Sequence, residues 1–195
     1  MFKSRKNPRK KRGAIAAEMV ATMYVLFLFI FFPVLNFGTC GLNAFFLWFA
    51  CNQATMLAAK AKTFNTLVNV PAVGGTAYPG AYDTARQRAG QIAGMFPGIA
   101  WTTNPQNPAV DIILAQIPGT TPTNPLPPVT TGPTPLGLGN IPNVNTYVPS
   151  IRVTIKGQVN PLIPVPWFNI QGLTSPMFIT VSSCSEFENP PGLQF

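Results

Sequence analysis

Few side chains in this chain are equipped for acid–base, nucleophilic or metal chemistry. It contains no histidine, which removes histidine-based triads, general bases and metal ligands together. Its three cysteines, Cys40, Cys51 and Cys184, are scattered without ligand spacing, so no metal or cofactor is expected. Glu186 and Glu188, either side of Phe187, form the one close acidic pair. Paired carboxylates cleave glycosidic bonds only inside a large shaped cleft, so two exposed acids at a strand end are the simpler reading. Neither a Gly-x-Gly-x-x-Gly, a Walker A nor a Gly-x-Ser-x-Gly pattern occurs. The expectation is a protein that is not an enzyme.

The remaining acid of interest is Glu18, which lies inside an apolar block. From Ala14 to Phe32 the sequence runs AIAAEMVATMYVLFLFIFF, 19 residues or ~28 Å of helix against a hydrocarbon core of about 30 Å. This block is long enough to span a bilayer and too long for the core of a cleaved secretory signal. A carboxylate placed in hydrocarbon is costly and therefore has a partner or a role. The plainer alternative is an acid favoured by the dipole of the helix N-terminus and reaching for the interface.

Ahead of the block stand Lys3, Arg5, Lys6, Arg9, Lys10, Lys11 and Arg12, seven of the thirteen basic residues. After Arg12, six basic residues face five acids, so the formal charge of +8 belongs almost wholly to this leader. A basic cluster directly before an apolar span is a topology signal rather than a nucleic-acid site. Lys10, Lys11 and Arg12 thus place the N-terminus in the cytoplasm and send the rest of the chain across the membrane. No nucleic-acid partner is expected, and membrane lipid is.

The run Lys10-Lys11-Arg12-Gly13 followed by Ala14-Ile15-Ala16-Ala17-Glu18 resembles the type III signal of type IV pilins and pseudopilins. The continuation through Asn52-Gln53-Ala54 and Ala58-Ala59-Lys60-Ala61 is similar to the helix after the span in TadE-like proteins, minor pseudopilins of the tight-adherence (Tad) pilus. Met19 departs from the aromatic residue usual after the glutamate, and the proline-rich insertion is also a departure. The resemblance implies cleavage between Gly13 and Ala14 by prepilin peptidase. Glu18 would then neutralise the new amine of a neighbouring subunit as helices stack. It further implies a pilin-like fold in the inner membrane and a role as minor subunit or assembly factor. The partners it implies are other pseudopilins, the major pilin, the peptidase and the inner-membrane pilus platform with its motor. The alternative is an uncleaved single-pass module of the cell envelope whose outer domain binds a ligand.

The elements that must position these residues are legible in outline. Residues 1–13 form the leader, 14–35 the membrane helix and 36–70 its extension, because no proline interrupts the chain between Pro33 and Pro71. Pro33, Gly38 and Gly41 predict a kink or an end to the first section. Leu42, Phe45, Phe46, Phe49, Met56, Ala59, Thr63 and Leu67 recur at helical spacing, as one helical face would, and predict a second helical section; Phe45, Phe46, Trp48 and Phe49 read by default as a packed face, with an aromatic belt at the outer interface or a contact with partner helices as the alternatives. Residues 71–195 form the extracytoplasmic α+β domain, which starts with turn chemistry at Gly74-Gly75 and Pro79-Gly80. A short helix over Tyr82–Phe96 follows, then strands at Val110–Ile117, Ile151–Val159 and Met177–Ser185. In the second strand Ile151, Val153 and Ile155 alternate with Arg152, Thr154 and Lys156, so one face is buried and one wet. A small antiparallel sheet of this kind needs the helices as its cover. Nine of the 22 prolines fall between Pro118 and Pro149, an extended surface loop, and the Pro161–Pro166 run with Trp167-Phe168 reads as a stiff connector. Cys40 and Cys51 lie ~16 Å apart along one helix, too far to bridge. In an oxidising compartment Cys184 can bridge to the helix, with Cys51 the better placed partner; buried unbonded thiols are the alternative.

Overall fold

A computed structural model of the chain describes residues 18–67, 78–96, 98–101, 107–164 and 169–195. It is an α+β protein in which one long helix, α1 (Glu18–Ala59), stands out of a small antiparallel sheet. At 42 residues α1 is about 63 Å long. Up to Leu35 its side chains are largely exposed among the described residues, and beyond that point it lies across the sheet beside a second helix, α2 (Ala81–Ala93).

Pro33 does not end the helix. The turn before it widens to π geometry over Phe27–Phe31, closed by the Phe32 N–H donating to the carbonyl of Phe27, five residues back. A proline ring presses on the carbonyl four residues before it, and a locally wider turn relieves that contact without stopping the helix. Gly38 and Gly41 do not stop it either, because tertiary packing from Cys40 onward holds the second half in place. The extension ends at Ala59, short of the expected residue 70. The C-terminal segment caps it there: Glu188 N–H donates to Ala59 O at 3.0 Å, and the Asn189 amide donates to Lys62 O.

The face that α1 buries differs from the expected one. Cys40, Leu47, Ala50, Cys51, Ala54, Thr55 and Ala58 are buried, with Leu47, Cys51 and Thr55 over the sheet and Cys40 against the β4–β5 connector, while Leu42, Phe45, Phe49 and Met56 are exposed. Both sets recur at helical spacing, and a helix that is apolar all round carries no hydrophobic asymmetry to choose between them. Small residues win because they let the helix sit close to the strands. The closest approach is Leu47 over Gly157, where an added Cβ would lie 2.8 Å from Leu47 Cδ2. Phe46 is the aromatic that does pack, stacking on Phe96 at 3.8 Å between ring centroids.

Among the described residues five strands form the sheet: β1 (Ile99–Ala100), β2 (Ala109–Gln116), β3 (Val129–Thr131), β4 (Tyr147–Val159) and β5 (Met177–Glu186). β4 is the spine. β5 runs along one of its edges, while the other edge carries β2 and then, at its far end, β1; β3 pairs outside β2. All pairings are antiparallel, with Asp111 opposite Arg152 and Arg152 opposite Cys184. The expected alternation holds, since Ile151, Val153 and Ile155 are fully buried beneath α1 with Val110 and Ile112 beside them. Between β1 and β2 the Asn107 side chain fills the gap in the ladder, donating to Lys156 O at 2.8 Å and accepting from Lys156 N–H at 3.0 Å.

The proline-rich stretch 118–149 is largely exposed loop, with one short edge strand in β3. Its last three residues, however, open the central strand β4. Pro149 is tolerated there because it lies just beyond the pairing of β4 with β5, and its carbonyl accepts from the Phe187 N–H. The expected turn at Gly74-Gly75 and the aromatic pair Trp167-Phe168 lie outside the described residues.

Leu47→Ala should destabilise the domain by about 2–5 kcal/mol, because the void over Gly157 has rigid walls on the sheet side. Gly157→Val should be at least as damaging through overpacking, and Gly157→Ala milder than Gly157→Val. Chemical denaturation followed by circular dichroism checks all three.

Candidate functional site

The bare half of α1 is the feature that most demands a functional account. An 18-residue window of α1 carries a mean hydropathy of 2.2, yet the side chains of residues 18–35 are largely exposed; Val20 is 71% and Tyr24 68% exposed. This is one helix long and apolar enough to cross a membrane, as a span or a signal anchor. Phe27 and Phe31 pack edge to face along it at 5.3 Å. Glu18 stands exposed on the first described turn, where its backbone carbonyl accepts from the Thr22 hydroxyl at 2.8 Å. Its carboxylate has no partner among the described residues. The cleavage pair Gly13 and Ala14 and the topology residues Lys10, Lys11 and Arg12 lie outside them.

Where the bare half ends, a polar contact begins. Asn36 is completely buried, its amide donating to Ile163 O at 2.6 Å and its carbonyl accepting from Ile163 N–H at 3.0 Å. The β4–β5 connector is thereby held against α1 one turn beyond Pro33. A second stretch of the same connector presses on the next turn: Gly172, with φ of +86°, sits so that a Cβ would meet Cys40 Sγ and Phe37. Only a residue without a side chain takes that backbone conformation at that distance comfortably. In sequence Asn36 stands with Gly38, Thr39 and Gly41 at the expected interface; its partner, 127 residues away, has no local signal.

The cysteine pairing is corrected. All three cysteines are unbonded thiols. Cys51 is buried between helix and sheet, its thiol donating to Val153 O at 3.1 Å, whereas Cys184 is exposed. Successive residues of a strand point to opposite faces, and in β5 it is Val181 and Ser183, not Cys184, that face α1. A Cys51–Cys184 bridge would need the strand to turn over. Burial pushes the Cys51 thiol up to about 11 from 9.0.

The outer face of the sheet carries the other polar groups. Asp111 is buried there and held by Arg152, whose Nη2 lies 2.6 Å and Nε 3.0 Å from the same carboxylate oxygen. This cross-strand pair ties β2 to β4 and shows no opening for a substrate. A cavity of about 260 Å³ lies further along this face, bordered by Trp101, Lys156, Gln158, Phe178 and Thr180. Glu186 and Glu188 are both exposed, and no group of three or more His, Cys, Asp or Glu among the described residues forms a metal site.

Comparison with family models, with curated proteins and with solved structures finds no match.

With the native protein at neutral pH, a maleimide should modify Cys184 alone, and Cys40 and Cys51 should react only after denaturation; intact mass before and after unfolding reads the count. Because the Cys51 thiol is raised in the folded state, its contribution is complete below pH 9 and is lost as pH rises towards 11. The stability of the native chain should accordingly fall more steeply over that window than that of Cys51→Ala, by on the order of 2 kcal/mol, in denaturant titrations at stepped pH.

Proposed function

We propose that the chain is a structural protein, a membrane-anchored pseudopilin-like subunit that acts as minor component or assembly factor of a Tad-type pilus. The observation that carries this reading is the single unbroken helix α1, half of it bare and apolar and half seated on an antiparallel sheet. Such a subunit can be stored in a bilayer by its bare half and later transferred into a filament, where neighbouring helices replace lipid around the same surface. The exposed stripe continues past the bilayer length through Leu42, Phe45, Phe49 and Met56, so the apolar contact offered to neighbours is longer than the one a membrane alone requires.

In this reading the N-terminus faces the cytoplasm, the α+β domain lies outside, and the resident membrane is the inner one. Prepilin peptidase cuts between Gly13 and Ala14, removing the seven leader charges that hold the helix in place. Glu18 lies four residues beyond the new amine, about 6 Å up the helix axis. An unpaired carboxylate in an apolar bundle is expensive, and a neighbour's α-amine offsets that cost only once subunits stack. Assembly is thus favoured over storage by one ion pair per junction. The other partners would be other pseudopilins, the major pilin and the platform with its motor.

A second reading is favoured by the cavity beside Trp101 and Phe178. There an aromatic wall, the Gln158 amide and the Lys156 amine suit an uncleaved envelope module that binds a ligand.

Two measurements separate these readings. Protein extracted from native membranes should begin at Ala14 by intact mass, and Glu18→Val should still insert but leave filaments reduced at least about tenfold by electron microscopy, the loss of one uncompensated charge pair per subunit. A retained Met1 leader together with normal piliation in Glu18→Val would sink the pilus reading and leave the binding module.

A further inference from the structure

The connector between β4 and β5 is held against α1 just where the bare half of that helix ends. Residues 160–176 read NPLIPVPWFNIQGLTSP, seventeen positions without a single charge. The proline-rich loop 118–146 carries none either, so the connector is set apart by where it is held and not by its composition. Its described residues also turn large apolar side chains outward: Leu162 is 62% exposed, Ile170 47% and Ile163 37%.

Its position on α1 is fixed by the contacts with Asn36 and Cys40. Asn36 directly follows the expected membrane helix, residues 14–35, so it stands where that span leaves the hydrocarbon. Phe37, 51% exposed, is on the same turn.

Its backbone is prepared for a place where water is scarce. Both polar groups of the Ile163 peptide are taken by the Asn36 amide. The 170–175 turn closes on itself, with Gly172 N–H donating to Ser175 O at 2.8 Å and Thr174 N–H to Ile170 O at 3.0 Å. Irregular backbone is tolerated at membrane depth only when its hydrogen bonds are met within the protein, and the Ile163 peptide and the N–H groups of Gly172, Leu173 and Thr174 meet that condition.

The geometry points to a second membrane contact: the described stretches of the connector, 160–164 and 169–176, form a collar at the exit of α1, and Leu162, Ile163, Ile170 and Phe37 sit in the interfacial layer of the bilayer. The occupant of this patch is lipid. The collar rests on α1 being a membrane span, and it does not depend on pilus assembly. It sets the height and tilt of the domain over the membrane, since a helix alone leaves both loose. Withdrawing the subunit from the bilayer must then lift the collar as well as the helix.

The test places an environment-sensitive fluorophore on Leu162→Cys in a Cys184→Ser background, with the full-length chain reconstituted into phosphatidylcholine–phosphatidylglycerol vesicles containing phosphatidylcholine with a doxyl quencher. Leu138→Cys is the control: it is 79% exposed in the proline-rich loop, whose Leu136 N–H donates to Leu193 O beyond the far end of α1. Emission from position 162 should be blue-shifted and quenched about twofold or more, as expected of a side chain buried some 5–10 Å into the interface, with position 138 unaffected. Asn36→Ala should weaken the quenching at 162 while the protein still floats with the vesicles.

Unquenched emission at 162 from protein that floats overturns the collar and leaves the span standing. Protein that does not float overturns the span and the collar together. A blue-shifted but unquenched probe means that protein covers the patch, and it overturns the proposal too.

Discussion

The seating of α1 on β4 and β5 governs what every other part of the molecule can do, because this one helix is both the apolar rod and the main cover of the sheet. A helix can approach strands closely only where its own side chains are small, and Ala50, Cys51, Ala54 and Ala58 provide that strip. Leu47 drops into the space that Gly157 leaves, fixing the helix along its axis as well as around it. From that contact the direction of the bare half, the burial of Cys51 and the placement of Asn36 beside Ile163 all follow.

The same seating decides which surface stays uncovered. With the small residues turned inward, the aromatics Phe45, Trp48 and Phe49 turn outward, in line with the apolar half below them. An exposed apolar stripe of such length is unstable in water unless lipid, other helices or both take it up. The pseudopilin-like proposal gives it lipid first and neighbouring subunits later, with Glu18 as the group that prefers the second state. The collar proposal concerns the junction between the two halves, where polar satisfaction rather than apolar area is the limiting quantity.

The domain keeps its polar chemistry away from that stripe. Asp111 and Arg152 form a closed pair on the outer sheet face, and Glu186 and Glu188 are solvated at the end nearest the C-terminal cap of α1. Neither arrangement positions two groups around a space where a substrate would sit. The cavity by Trp101 and Phe178 has an aromatic wall and a polar edge.

Length and alternation are local properties, and the sequence alone determined what depends on them. The apolar block from Ala14, the three long strands, the second helix and the buried parity of Ile151, Val153 and Ile155 could all be read from periodicity and turn residues. The tertiary structure decided what depends on choosing between equivalent faces. A helix apolar on every side does not announce which stripe packs, so the small-residue face was legible only once the sheet was present. The parity of β5 relative to α1 is likewise a three-dimensional fact, and it separates Cys184 from Cys51. Helix persistence through Pro33 was set by a widened turn that no spacing encodes, and the role of Asn36 by a hydrogen-bond partner 127 residues away. Contacts over such separations are fixed by the packed fold, since no local preference of the chain selects them.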